Sequence, residues 1–311
     1  MEYKISILKD SDRIPELVTL FRTGLGETTE AFWKWRLFTE NGQPDQPFAM
    51  IIDDEKERMV GISSVLPVLY GYGESERKCL QFCDWVVHPE HRGKGLIRMM
   101  YDYAYMHFRD KGYDFIMEFP NDNSYPIFQK YGFCEEPHIH CWSSSKHVFI
   151  KKEKLHDIHI QDKKVCFSEK CPAEIGTFIR QDRIARTPAY LKWKYDQNPD
   201  IDYKWVTLWQ DEICIGYMVY TLTRGRFRTA VNVYDWEYPN TDSTILHKII
   251  SILEKQGNYI SIWGRYDQNT QKLLEQCGLR KVECRTRLML KDISERSWPT
   301  ELTLTRIDTD Y

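Results

Sequence analysis

The 311-residue sequence echoes itself, and the echo limits what the chain can fold into. PELVTLFRTGLGETTEAFWKWRL, from Pro15, resembles PAEIGTFIRQDRIARTPAYLKWKY, from Pro172, and each ends in aromatic-x-Lys-Trp-basic. MVGISSV, from Met59, matches CIGYMVY, from Cys214. CDWVV, from Cys83, matches YDWEY, from Tyr234, and FQKYGF, from Phe128, matches LEQCGL, from Leu274. Matches kept in one order point to two copies of one structural unit rather than to one large domain. The copies are expected at residues 1–150 and 164–311. Residues 151–163 are expected to join them, because KKEKLHDIHIQDKK is charged and has no clear period.

Within the first copy, KISILK predicts a strand, and DRIPELVTLFR and TTEAFWKWRLF predict helices. FAMIID and MVGISSVLPVLYGY predict a strand pair around the turn DEKER, and KCLQFCDWVV a long strand. GLIRMMYDYAYMHFRDKG predicts an amphipathic helix with Leu96, Met99, Met100, Tyr103 and His107 near one face. YDFIMEF predicts a strand, SYPIFQKYG a short helix, and a final strand pair follows. The fold class is α/β, with a mixed α+β sheet in each of two tandem domains.

The segment VVHPEHRGKGLIRMM holds the sharpest chemical signal. Gly93 and Gly95 let the backbone curl between a strand and a helix, and they leave room for a ligand. The first N–H groups of a helix lack intrahelical partners, and with the helix dipole they attract a phosphate. Arg92 and Lys94 add positive charge. The plainer reading is a tight turn with solvated basic residues. A dinucleotide fingerprint would need a small residue at Arg98, and a P-loop would need Gly-Lys-Ser/Thr; neither is present.

DWVVHPEHRGKGL resembles motif A of the GNAT acyl-CoA N-acyltransferases, with Ile97 where the family has a last small residue. Asn121, Ser124, Phe128, Gly132 and Phe133 resemble the family's following motif. The resemblance covers about residues 3–150. It implies acetyl-CoA as cosubstrate, held by Trp85, Val86, Val87, Arg92, Gly93, Lys94, Gly95, Leu96, Ile97, Asn121, Ser124 and Phe128. It also implies direct attack of a primary amine on the thioester, with a backbone N–H in the Trp85–Val87 region facing the oxyanion. The second copy reads YPNTDSTILHKII at the corresponding place, without the glycines or basic residues of the first. It is therefore expected to be a GNAT-like copy without coenzyme binding.

Amine attack calls for a general base. Glu118 and Asp84 are the leading candidates, although the Asp-Trp pair recurs as Asp235-Trp236 in the copy without the loop. His88 and His91 flank the loop and titrate near neutral pH in ordinary surroundings. The tyrosine that many relatives use as acid is replaced by Phe128, which leaves Tyr125 as the candidate and Tyr131 as a neighbour. Cys134, His138, His140 and Cys141 lack the second ligand pair of a structural zinc site, so no metal is expected.

Net charge is −3 with both signs interspersed, which argues against a nucleic-acid partner. No apolar run is long enough to span a membrane, and the N-terminus lacks a signal-peptide pattern. The odd count of nine cysteines fits a reducing, cytoplasmic setting. The expected partner is a small-molecule or peptide amine. The two copies, as an internal pseudo-dimer, would leave the chain monomeric. A non-catalytic CoA-binding or scaffold protein, and transfer of another acyl or aminoacyl group, are the alternative functions.

Overall fold

A computed structural model describes residues 2–309 except 44, 72–75, 138, 146–154, 181, 227, 240–242, 285, 296–297 and 299–301. The first part of the expected joining segment 151–163 and the residues Asn240, Thr241 and Asp242 therefore lie outside the described residues.

The strands of the first half are β1 (Lys4–Ile7), β2 (Phe48–Asp53), β3 (Met59–Tyr70), β4 (Arg77–Val87), β5 (Phe115–Glu118) and β6 (Cys134–Glu136). Next come β7 (His140–Ser145), β8 (Ile158–Ile160), β9 (Lys163–Ser168), β10 (Lys204–Gln210) and β11 (Ile213–Arg224). β12 (Thr229–Glu237), β13 (Tyr259–Arg265), β14 (Arg280–Glu283), β15 (Leu288–Asp292) and β16 (Leu304–Thr305) follow. The helices are α1 (Ile14–Arg22), α2 (Glu30–Phe38), α3 (Leu96–Phe108), α4 (Tyr125–Lys130), α5 (Pro188–Leu191), α6 (Ser243–Leu253) and α7 (Gln268–Gln276).

Among the described residues, one sheet runs β1-β2-β3-β4-β5-β15-β6 and the other β14-β7-β13-β12-β11-β10-β9-β8, with β16 on β13. Each is antiparallel except for one parallel pair, β4 with β5 and β12 with β13. The two copies thus share one plan, and both sheets are mixed.

The compact units are not contiguous in sequence. The first comprises Met1–Glu136, Gln197–Asp200 and Leu288–Pro299; the second comprises Pro137–Asp196, Ile201–Arg287 and Thr300–Tyr311. β15, from the far end of the chain, fills the place between β5 and β6. β7, from the first half, sits between β13 and β14. The expected contiguous copies and the final strand pair of copy one are corrected here. β6 and β7 follow each other in sequence but enter different sheets. The expected joining segment is corrected too, because Ile158–Ile160 is a strand of the second sheet.

The buried stripe of α3 is Leu96, Met100, Tyr101, Ala104 and Phe108. It is rotated from the expected face, so that Met99, Tyr103 and His107 are only partly covered. These residues pack on Met50, Val65, Leu80, Phe82 and Ile116 of the first sheet. The helix α6 plays the same part in the second unit with Ile245, Leu246, Ile249, Ile250 and Leu253. The stretch matching α1 is not helical, since Phe178 and Arg186 pair there as an antiparallel bridge. No helix among the described residues is long and apolar enough to cross a membrane.

Candidate active site

β4 and β5 pair only from Cys79 with Phe115 to Gln81 with Met117. Beyond that level β4 runs on to Val87 without β5, and the sheet opens. A β-bulge re-aims β4 at this point. Ser64 faces Cys83 and Ile62 faces Val86, so Asp84 and Trp85 together stand against Ser63. Asp84 takes up a left-handed φ of 57°, a conformation that aspartate tolerates better than most residues. The β5-facing N–H groups within Trp85–Val87 are left without a ladder partner, which is the property an oxyanion site needs.

Asp84 is held in place by two partners that the sequence did not reveal. Ser64 donates to Oδ2 at 2.5 Å, and the Arg36 guanidinium lies 3.3 Å from the same oxygen. Arg36, in the aromatic stretch of α2, has a side chain only 3% exposed. The recurring Asp235 is also gripped, by Arg183, Arg186, Tyr195 and Tyr217. The two Arg183 and Arg186 charges outweigh burial there and hold Asp235 down to about 2. An aspartate fixed by arginine thus belongs to both copies, with or without the phosphate loop.

Glu118 ends β5 and is buried beside the opening. Burial pushes its carboxyl well above the usual range, and the nearby Asp84 charge adds to the effect. The Trp85 indole N–H approaches this carboxyl and opposes the shift without reaching full hydrogen-bond geometry. A carboxyl that titrates nearer neutrality is matched to accepting a proton from an ammonium.

Past Val87 the chain makes a 3-10 turn at Pro89–His91 and enters the loop. Gly93 and Gly95 adopt φ of 73° and 79°, and a Cβ at either would meet only open space within 4 Å. Gly95 is the N-cap of α3 and has no side chain to satisfy the first N–H groups. Those groups face a cleft of about 600 Å³ lined by Val87, Arg92, Gly93, Gly95, Leu96 and Ile97 on the loop side. His91, Arg98, Ile127, Lys130 and Tyr131 complete its lining. Among the described residues, neither Arg92 nor Lys130 forms an ion pair, so two cations border the cleft. Burial, then the Lys94 charge, lowers the pKa of His91, whose Nδ1 lies 3.0 Å from the Tyr3 hydroxyl.

Other expected residues serve the scaffold. Asn121 Oδ1 accepts the N–H groups of Asn123 and Ser124, while Ser124 Oγ accepts that of Asn121, a reciprocal box that opens α4. Phe128 is buried in the core, edge-on to Trp85 at 5.7 Å and to Phe133 at 5.1 Å. Tyr125 donates its hydroxyl to Glu135 at 2.6 Å and accepts from Gln129 at 2.9 Å. Cys134 lies on β6, and His140 and Cys141 on β7, so the cysteine–histidine fragment is divided between two sheets, with His138 outside the described residues. His88, Glu90 and His91 bring three possible ligand atoms within 4.8 Å of one another. His88 Nδ1 already accepts the Glu90 N–H there, and Arg92 and Lys94 follow directly in sequence.

The second unit opens in the same way, because β12 and β13 pair only from Ala230 with Tyr259 to Val233 with Ile262. There the gap is taken up by the chain itself. β16 pairs with Gly264 and Arg265 of β13, and Thr305 donates to Asp235 of β12. The turn that follows seats Asp308 against Arg186 at 2.7 Å. Gly264 permits this approach, since a Cβ would lie 2.3 Å from the Leu304 carbonyl oxygen.

Residues 5–135 match the sequence model described as acetyltransferase (GNAT) domain. Among solved structures, a probable N-acyltransferase of unknown function from Enterococcus faecalis is similar at 12% identity and TM-score 0.69, covering 94% of this chain and 73% of that one. A GCN5-related N-acetyltransferase from Anabaena variabilis is similar at 14% identity and TM-score 0.66, with the same coverage of 94% and 73%. A tandem GNAT protein from the clavulanic acid biosynthesis pathway is similar at 10% identity and TM-score 0.56, over 95% of this chain and 100% of its own. No curated protein sequence matches the chain.

Proposed function

We propose that the first unit of this tandem GNAT-fold chain, in which residues 5–135 match the acetyltransferase (GNAT) domain model, transfers an acyl group, acetyl in the simplest case, from acyl-CoA to a primary amine. The observation that carries the reading is the glycine loop that turns the bare N-terminus of α3 into the 600 Å³ cleft beside the opened β4–β5 pair. The α3 N–H groups with Arg92 and Lys94 receive the pyrophosphate. The thioester carbonyl lies in the opening, where an N–H within Trp85–Val87 stabilises the oxyanion. Glu118 removes the ammonium proton, and the neutral amine attacks the carbonyl carbon. The tetrahedral intermediate collapses with loss of the CoA thiolate, and the extra proton on the attacking nitrogen passes through solvent to the thiolate, leaving a neutral amide and a thiol. Asp84, held by Arg36 and Ser64, fixes the bulge rather than exchanging protons. The acceptor is a small molecule or peptide amine, and nine cysteines with no disulfide among them fit a cytoplasmic setting.

The second reading is a CoA-binding protein without turnover. It is favoured by the engagement of the Tyr125 hydroxyl with Glu135, which leaves the departing thiolate without an obvious acid. Thiol release from acetyl-CoA across a panel of amines separates the two. Release that depends on both the amine and Glu118 supports transfer, whereas binding without release from any amine supports the second reading.

A further inference from the structure

Lys291 comes from β15, which the far end of the chain inserts into the first sheet. Its neighbours on the strand are set by the ladder, where Met289 stands opposite Glu118 and Lys291 opposite Ile116. The ammonium is 2.5 Å from the Tyr101 hydroxyl on α3 and 2.5 Å from the Tyr131 carbonyl oxygen at the end of α4. It also sits 5.0 Å from the centre of the Tyr101 ring, 5.4 Å from Tyr105 and 6.0 Å from Phe133. The Tyr101 and Tyr131 rings stack at 4.5 Å. A cation at a helix C-terminus satisfies a carbonyl that the helix leaves open. Aromatic faces around a partly desolvated ammonium add attraction.

These contacts join two walls of one cleft. α3 supplies Leu96, Ile97 and Arg98, and the end of α4 supplies Ile127, Lys130 and Tyr131. We propose that Lys291 is a positioning residue for the coenzyme: it ties α3 to the end of α4 and so fixes the width of the acyl-CoA cleft. The inference rests on the proposed acyl-CoA reading of that cleft. It makes the site of the first unit depend on a residue encoded about 160 positions after Tyr131, as the bond to that carbonyl shows.

The full-length chain and its variants Lys291→Met, Lys291→Arg and Tyr101→Phe are titrated with acetyl-CoA by calorimetry, and kcat is measured at saturating coenzyme. Loss of a hydrogen-bonded cation predicts about tenfold weaker acetyl-CoA binding for Lys291→Met. Lys291→Arg keeps a donor and stays within about threefold of the parent, and kcat changes less than about twofold in both. Tyr101→Phe weakens binding by about threefold, and combined with Lys291→Met it adds nothing further. Unchanged affinity in Lys291→Met and Tyr101→Phe, even with a lower melting temperature, overturns the proposal, as does an arginine variant as weak as the methionine one. Should Lys291→Met not fold, Tyr101→Phe decides alone. If the parent chain binds no acetyl-CoA, the proposed function fails and this inference fails with it.

Discussion

Glu118 and Asp84 lie on adjoining strands of one opening, yet their surroundings give them different chemistry. Glu118 is buried with a raised pKa, so transfer should lose rate as the pH falls and the base becomes protonated. A pH profile of kcat/KM is expected to rise through an apparent pKa well above that of an ordinary glutamate, and Glu118→Gln should remove this limb while lowering turnover about 10²–10⁴-fold. The same substitution should stabilise the fold. Because the folded protein holds the Glu118 proton more tightly than the unfolded chain, stability from it is full below about pH 4.3 and is lost as pH rises through the raised folded value. Denaturant melts should therefore place Glu118→Gln above the parent at neutral pH and level with it near pH 4. Asp84 answers to Arg36 instead. Asp84→Asn should cost ~3 kcal/mol by taking a carboxylate away from a buried guanidinium, and Asp84→Ala should cost more because alanine resists the positive φ. Equal stability of both variants and the parent would remove the ion pair from the account. The Arg36–Asp84 bond was not legible in the sequence, since nothing in the spacing of residues 36 and 84 marks them as neighbours. The recurrence of Asp-Trp did hint that this aspartate serves the scaffold.

The loop and α3 form the element that the sequence announced most clearly. Two glycines around a lysine, after a β-branched strand and before an apolar helix, need positive φ and open space, and both are present. Gly95→Ala should therefore weaken acetyl-CoA binding, because a side chain at φ 79° costs about 1–2 kcal/mol and moves the first N–H groups. Its effect on folding should stay within that backbone strain, as the added methyl meets nothing within 4 Å. Calorimetry with parallel melting curves tests this; normal binding would show that the α3 N-terminus is not the phosphate site. The far wall of the cleft was less legible. Ile127 and Lys130 lie on a short helix whose pattern shows where it starts and stops, not what it faces. Strand exchange was not legible at all. A strand pattern such as that of β7 does not specify a partner, and β7 and β15 each fit an equivalent place in two sheets built on one plan.

That exchange governs the whole molecule. A chain ending at residue 150 would lack β15, leaving β5 and β6 without the strand between them. Such a fragment is expected to be insoluble or unfolded by circular dichroism. Appending residues 288–295 through a flexible linker should restore folding; a fragment that folds cooperatively without them would contradict the exchanged arrangement. The two units also differ in what occupies their openings. The first leaves β4 and β5 parted beside the glycine loop, while the second fills the gap between β12 and β13 with its own Leu304–Thr305 strand. One acyl-CoA site per chain follows from that difference. Calorimetric titration of acetyl-CoA into the full-length chain and into Gly95→Glu measures it directly. The expected result is one site per chain, abolished by Gly95→Glu in a protein that still melts cooperatively and whose stability is lowered only by the backbone strain at that φ, whereas two sites per chain, or binding that survives Gly95→Glu, would contradict the account.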